Sequence, residues 1–293
     1  MSDGARPSVI AAGTLYVVAT PIGNLGDLST RAREVLAGVD LIAAEDTRHT
    51  RQLLDLCGIE RPLTSLHEHN ESAKSEELLG KLSAGAAIAL VSDAGTPLIS
   101  DPGFDLVSKA KARGVRVVAV PGPSAAIAAL SISGLATDRF AFEGFLPAKA
   151  SARRARLERL ASEERTMIFY EAPHRLAEVL RDMAALFGAD RRASIGRELT
   201  KKFETTYDGT LAELAQKAGQ GSDMTRGEIV IVVAGAKGSD LEATSMQADQ
   251  VLRALLEELP PSQAARIAAR LTGAKRGDLY DAALRLSGAR KNE

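Results

Sequence analysis

Short apolar runs alternate with longer amphipathic stretches through most of the chain. LYVVAT, DLIAAE, AAIALVS, VRVVAV, FAFEGF, TMIFYE, ASIGRE and EIVIVVAG are rich in Val and Ile and read as strands. Between them, stretches such as STRAREVLAGV, TRQLLDLCG, AKSEELLGKLSAG, FDLVSKAKARG, SAAIAALSISG, PHRLAEVLRDMAALFG and GTLAELAQKAG carry the helical period. Strands alternating with helices predict an α/β architecture, with sheets covered on both faces. Gly114, Gly134 and Gly188 end predicted helices, where a left-handed cap favours glycine.

The pattern changes twice. The helix after PGPS runs out at SGLATD, which places a boundary in the region 125–140 and divides the α/β part into 13–126 and 127–237. GAKGSDLEATSM, Gly235 to Met246, reads as a polar linker. Beyond it the pattern is purely helical, which predicts a small helical unit over 245–290. There Pro260 and Pro261 end one helix, Ser262 is set to cap the next, and Thr272 to Gly277 form a turn before the last. Two short helices on a tight turn suggest a helix-turn-helix, or a plain helical hairpin.

Composition narrows the class without naming a function. The chain has 293 residues, 45% hydrophobic and 26% charged, which suits a globular protein able to build a core. No apolar run reaches the roughly 20 residues of a membrane helix. The N-terminus lacks a basic signal-peptide region, so the cytoplasm is the expected location and no membrane partner is expected. The one cysteine, Cys57, excludes an internal disulfide and reads as a small apolar residue at a helix end. Net charge is -1, yet Lys149 to Lys202 holds 13 basic against 8 acidic side chains. That excess fits a basic face for RNA, or solvated helix faces with ion pairs along the helix, as in RRARLERLASEER.

Gly- and Pro-rich loops follow three of the predicted strands: PIGNLGD from Pro21, SDAGTPLISDPG from Ser92, and PGPS from Pro121. Loops at the carboxyl ends of parallel strands line one crevice in an open α/β sheet, and glycine there lets backbone approach a ligand. The dinucleotide pattern G-x-G-x-x-G is not met, because Pro21 stands where its first glycine belongs, and no P-loop is present. The loops suit a small ligand held by backbone, such as the nucleoside S-adenosylmethionine.

VATPIGNLGDLS, AEDTRHTRQLL, LHEHNE, SDAGTPLISDPG, VPGPSAAIAALSISGL, FEGFLP, FYEAPHR and RELTKKFE occur in this order from about Leu15 to Gly235. Together they resemble the tetrapyrrole (corrin/porphyrin) methylase superfamily, and within it the branch acting on small-subunit ribosomal RNA. SDAGTPLISDPG and AEDTRHT are the motifs specific to that branch. The resemblance implies two α/β/α domains with S-adenosylmethionine in the cleft between them, a helical tail and a homodimer. It also implies methyl transfer to the ribose 2′-oxygen of a cytidine in the decoding region of 16S rRNA.

Carried onto this sequence, the resemblance assigns Pro21 and Gly23 to one wall of the cofactor site. Asp93, Ala94 and Gly95 would hold the methionine part, and Ile99 would pack on the cofactor. Ser124 and Ala125 would lie against its carboxylate or sugar. Tyr170 and Glu171 would close over the adenosine, and Leu199 with the segment Glu228 to Val230 would add adenine contacts. Thr96 stands where tetrapyrrole-type members carry Asp, a mark of the RNA branch.

Methyl transfer from a sulfonium needs in-line alignment and exclusion of water, and a ribose hydroxyl gains from a general base. The catalytic candidates are Glu45, Asp46 and Lys201. One of the two carboxylates would accept or relay the proton, or both serve only to orient arginines. Arg48, Arg51, His174, Arg175, Arg197 and Lys202 are the RNA-contact candidates, and phosphate contacts would make binding salt-dependent. His67 and His69 have H-x-H spacing, but methyl transfer needs no Lewis acid, so HEHNE reads as a polar loop on the RNA side and no metal is expected. Two other functions fit less well. A methylase of a tetrapyrrole or other small molecule on the same fold has little use for the charged AEDTRHT and RELTKKFE, and an RNA-binding factor without activity needs no nucleoside crevice.

Overall fold

A computed structural model of the chain describes residues 10–67, 70–221, 223–236, 241–272 and 276–289. The chain divides into two compact units, Met1–Ala234 and Gly235–Glu293.

The first unit begins with β1 (Thr14–Val18), α1 (Thr30–Gly38), β2 (Leu41–Ala44), α2 (Thr47–Leu56), β3 (Leu63–Ser65), α3 (Glu71–Ser83), β4 (Ile88–Val91), α4 (Phe104–Ala112) and β5 (Arg116–Val120). Its five strands form a parallel sheet in the order β3-β2-β4-β1-β5. The central β4, IALV, is buried along its whole length, as a strand covered on both faces must be. One face packs Val18, Val35, Leu36, Ile42 and Leu54, and the other packs Leu15, Leu78, Leu79, Ile88 and Leu106.

Then follow α5 (Ala125–Ile132), β6 (Phe140–Phe145), α6 (Ala150–Leu160), β7 (Thr166–Glu171), α7 (Leu176–Phe187), β8 (Arg192–Arg197), β9 (Thr205–Thr210), α8 (Leu211–Gly219) and β10 (Ile229–Val233). The second sheet has the order β6-β7-β10-β8-β9. Only β6 and β7 run parallel; β10 is antiparallel to both β7 and β8, and β8 to β9. The alternation of strands and helices did not foretell this change of direction. Ala126, Ala129 and Leu130 of α5 pack with Ile168, Val230 and Val232 of the second sheet and with Ile22 from the loop after β1.

All eight predicted strands form. The two that the apolar pattern misses are sheet edges. β3 has three residues, and β9, TTYDGT, alternates polar and half-buried positions. Gly114, Gly134 and Gly188 have the positive φ expected of them, 72°, 65° and 100°. Ser29 caps α1, and Thr210 with Glu213 forms a capping box on α8. Cys57 is a free thiol at the C-terminal end of α2 and packs against the first core.

Part of the basic excess serves the architecture. Arg153, almost fully buried, and Arg154 both grip Asp182 of α7, at 2.7 and 2.8 Å. Arg156 pairs with Glu143 of β6, and Arg191 donates to the carbonyls of Phe187, Ala161 and Ala234. Arg153, Arg154 and Arg156 of α6 therefore reach across to neighbouring elements and do not pair along the helix, one of the two readings the sequence allowed.

The second unit consists of α9 (Leu241–Glu258), α10 (Pro261–Thr272) and α11 (Arg276–Ala289). Leu252, Ala264, Ala265, Ala268, Leu279 and Ala283 form its core. α10 starts one residue before the expected cap. Pro261 takes the first helical position, and the carbonyl of Pro260 accepts from the N–H groups of Gln263 and Ala264. Half of the predicted turn, 273–275, and part of the predicted linker, 237–240, lie outside the described residues; 241–246 is helical.

Candidate active site

The three Gly/Pro loops are laced together by backbone. Thr20, after β1, exchanges two hydrogen bonds with Gly95: its N–H donates to the Gly95 carbonyl at 2.8 Å and its carbonyl accepts at 3.1 Å. The Thr96 hydroxyl donates to the carbonyl of Pro123 in the third loop, at 2.9 Å. The Asp46 N–H, after β2, donates to Asp93 Oδ1 at 3.0 Å. Glu71 of α3 accepts from the N–H groups of Gly103 and Asp105 at 2.9 and 2.8 Å, which fixes the far end of the second loop. Gly95 has φ 82°, and a Cβ there would meet Ile22 at 3.2 Å, so the close approach needs glycine.

Beside these loops lies a cavity of about 360 Å³. The first sheet contributes Ile22, Ala94, Gly95, Thr96, Ile99, Ser100 and Asp101, and the start of α5 adds Ser124 and Ala125. The second sheet contributes Phe145 at the end of β6, Tyr170 to Pro173 at the end of β7, Gly196 and Leu199 around the end of β8, and Gly227 to Val230 entering β10. Tyr170 stands edge-on to Phe142 and Phe145, with ring centroids 5.0 and 5.6 Å away. Its hydroxyl oxygen accepts the Ala126 N–H at 3.3 Å, which ties β7 to the first turn of α5. Burial, with a smaller push from Asp101, raises the Tyr170 pKa above the usual phenol value, so it stays protonated.

Two carboxyl groups on the wall are set apart by their surroundings. The side chain of Glu171 is wholly buried. Its Oε1 accepts the Ala172 N–H at 2.8 Å and lies 3.3 Å from Arg175 Nε, while Oε2 has no hydrogen-bond partner. Burial raises its pKa, against the pull of the Ala172 N–H and Arg175. Asp101 is also raised by burial, in spite of a hydrogen bond from Ser92 and with a further push from Asp93. An orphaned buried acceptor in a cavity wall is a place for a donor from a ligand.

Of the residues expected at the cofactor, Ala94, Gly95, Ile99, Ser124, Ala125, Tyr170, Glu171 and Leu199 line this cavity. Pro21, Gly23 and Asp93 do not. Ile22 between the first two reaches the wall instead, and a Cβ on Gly23 would collide with the Lys201 side chain. Sequence reasoning missed Ile22, Asp101 and Phe145, although Asp101 and Phe145 lie inside the quoted SDAGTPLISDPG and FEGFLP.

The expected catalytic cluster falls elsewhere. Glu45 and Asp46 follow β2, which the strand order separates from β1 by β4, and neither lines the cavity. Asp46 caps α2 through the Arg48 N–H and holds the Arg48 guanidinium with both oxygens, at 3.1 and 2.7 Å. Those hydrogen bonds to Arg48 push its pKa well below the usual carboxylate range, which makes it a poor proton acceptor. Lys201 Nζ lies 3.0 Å from Glu198 and 2.9 Å from Glu228. Burial works to lower its pKa, but the hydrogen bonds it donates to Glu228 and Glu198 prevail and raise it, so the ammonium stays charged and serves as a fixed cation.

The RNA-contact candidates divide in the same way. Arg51, Arg175 and Arg197 donate to backbone carbonyls: Arg51 to Arg61, Arg175 to Leu146 and Pro147, Arg197 to Arg226 and Phe203. These three hold loops in shape. Arg48, His174 and Lys202 are exposed. His69 lies outside the described residues, the His67 N–H donates to Asn70, and the described residues hold no group of three side chains suited to a metal.

The family model described as Tetrapyrrole (Corrin/Porphyrin) Methylases matches residues 14–215, and one described as RsmI C-terminal HTH domain matches residues 242–287. The Ribosomal RNA small subunit methyltransferase I of Xylella fastidiosa (strain Temecula1) is 59% identical over 269 residues, covering 92% of this chain and 98% of the relative. The protein of the same name from Pseudomonas aeruginosa is 54% identical over 280 residues, covering 95% and 99%. Among solved structures, uroporphyrin-III C-methyltransferase from Thermus thermophilus, complexed with S-adenosyl homocysteine, shares the fold. Its TM-score is 0.53 at 18% identity, over 75% of this chain and 97% of the other.

Proposed function

The chain belongs to the tetrapyrrole (corrin/porphyrin) methylase family, and we propose that it is an S-adenosylmethionine-dependent methyltransferase of small-subunit ribosomal RNA. Its product is the 2′-O-methylated ribose of a cytidine in the decoding region of 16S rRNA. The observation that carries this reading is the 59% identity to a named small-subunit rRNA methyltransferase across almost the whole of both chains.

The cavity suits the methyl donor. Its volume of about 360 Å³ lies in the range of small-molecule sites, and its walls are mainly apolar. Ile99, Leu199 and Val230 offer apolar contact, the backbone of Ala94 to Thr96 offers polar groups, and the unpaired Glu171 Oε2 calls for a donor such as a nucleoside hydroxyl or amine. S-adenosylmethionine, when bound, supplies a methyl group already activated by its sulfonium.

The protein's own residues position, desolvate and move a proton. Phe145 and Tyr170 wall off water on the side of the second sheet. Asp101, a cavity carboxyl whose pKa burial raises, accepts the proton of the ribose 2′-hydroxyl at its carboxylate oxygen. The substrate is RNA within the small subunit, the working species is a homodimer, and the place of action is the cytoplasm. No helix among the described residues is long and apolar enough to cross a membrane.

The test uses small subunits purified from cells lacking this protein, incubated with the pure protein and methyl-labelled S-adenosylmethionine, then digested and mapped by mass. Label on a cytidine ribose of 16S rRNA is the expected result. Cofactor binding without transfer to RNA would overturn the RNA assignment and point to a small-molecule acceptor.

A further inference from the structure

The loop that carries Leu199 into the cavity turns its next aromatic outward. Phe203 is 61% exposed. A lone exposed apolar side chain is common, but the backbone beneath this one is held from several sides. The Phe203 carbonyl accepts from Arg197 Nη1 at 3.0 Å and from the Thr205 hydroxyl at 3.1 Å. The Thr200 N–H donates to the Glu204 carboxylate, and the Glu204 N–H donates to the Lys201 carbonyl at 3.1 Å. The ring thus stands on a rigid turn.

Its two basic neighbours are used differently. Lys201 is folded back onto Glu198 and the cavity-lining Glu228. Lys202 points its ammonium over the Phe203 ring, 5.5 Å from the centroid, and makes no ion pair among the described residues. The loop therefore presents an exposed ring with an ammonium, unpaired with any described carboxylate, over one of its faces. Leu199, four residues back, lies no more than about 14 Å away along the chain.

We propose that Phe203 and Lys202 form a platform for the acceptor RNA: an unpaired nucleobase stacks on the Phe203 ring while Lys202 contacts the adjoining phosphate. This rests on the proposed function and assigns it a substrate-positioning site outside the cofactor cavity. Every base offers a π-face, and single-stranded RNA is gripped by aromatic platforms beside cationic side chains. A protein partner or a second copy would gain from an apolar patch, whereas this is one ring beside an unpaired cation.

The experiment compares wild type with Phe203→Ala, Phe203→Leu, Phe203→Trp and Lys202→Ala. The substrate is small subunits from cells lacking this protein, and S-adenosylhomocysteine affinity and melting temperature are measured alongside. Phe203→Ala is expected to raise KM for the subunits about tenfold, within the range for losing one base stack. kcat and cofactor affinity stay unchanged. Trp restores the low KM, and Leu, apolar but without a π-face, does not. Lys202→Ala raises KM and flattens its dependence on salt. An unchanged KM in Phe203→Ala overturns the platform, as does full rescue by Leu. A change in oligomeric state by light scattering would assign Phe203 to a contact between copies and equally overturn it. If wild type transfers no methyl group to the subunits, the proposed function itself falls, and this inference with it.

Discussion

Ile99 and Leu199 reach one cavity from two different sheets, and each is held between two non-glycine residues in the left-handed region. Leu98 and Ser100 flank Ile99 with φ 72° and 67°; Glu198 and Thr200 flank Leu199 with φ 50° and 67°. No other described non-glycine residue has positive φ. Such conformations cost of order 1–3 kcal/mol each and persist where the surroundings enforce them. Thr200 is β-branched, and its buried hydroxyl has no hydrogen-bond partner. Among the described residues the strain is confined to the two turns that aim apolar side chains at the cavity, which marks them as pre-organised.

Relieving that strain separates stability from binding. Ser100→Gly and Thr200→Gly tolerate positive φ without a Cβ clash, so the melting temperature should hold or rise. The freed loops should bind S-adenosylhomocysteine several-fold more weakly by calorimetry. Unchanged affinity in both variants would show that the two turns are not pre-organised for the ligand.

Asp101 carries the proton in this account. Asp101→Asn should lower kcat about 100-fold or more, the scale of general-base catalysis, with cofactor affinity nearly unchanged. A general base works deprotonated. Wild-type kcat should therefore rise with pH through a pKa above the ordinary Asp value of about 3.9, because burial raises this one. The asparagine variant should lose that limb of the profile.

Asp46 is expected to behave as a structural residue. Asp46→Asn keeps an acceptor for the Arg48 N–H and should retain turnover within a few-fold. Asp46→Ala loses both the cap and the Arg48 pair, and should lower the melting temperature. Because its folded pKa is depressed, the stability it contributes is present near neutral pH and is lost as pH falls below the unfolded carboxylate value. A large loss of kcat in Asp46→Asn would restore it as a proton carrier.

The Arg153–Asp182 pair between α6 and α7 is nearly sealed from water. Burial pushes Asp182 up, but hydrogen bonds from Arg153 and Arg154 prevail and hold it low, so its contribution is lost on the acid side. Asp182→Ala leaves a buried guanidinium poorly compensated and should destabilise the first unit by about 3–5 kcal/mol in denaturant melts. Replacing Arg153 by Met and Asp182 by Leu together should recover most of that loss.

The strands of this fold were legible where both faces are covered, because burial leaves unbroken apolar runs such as IALV and IVIVV. β3 and β9 were not, since these edge strands are short or polar. The direction of β10 was hidden too: an apolar run reads the same in parallel and antiparallel pairing. At the candidate site, motif likeness picked out Tyr170, Glu171 and the turn after β4, all of which line the cavity. Pro21 and Asp93 lie off the cavity wall, and motif residues also lace loops to one another, as Asp93 does with Asp46. In the charged AEDTRHT, likewise, Asp46 and Arg48 satisfy each other. Asp101 and Phe145 needed the fold, which alone shows that the end of β6 and the second loop share a cavity.

The most direct test titrates S-adenosylhomocysteine into wild type and into Ala94→Trp by calorimetry. Ala94 is exposed and lines the cavity, so an indole there fills the space without disturbing either core. Placement of the cofactor in this cavity predicts saturable binding to wild type and a loss of at least tenfold in the variant, at an unchanged melting temperature. Equal affinity in both proteins would contradict it, because the cofactor would then be held somewhere other than this cavity.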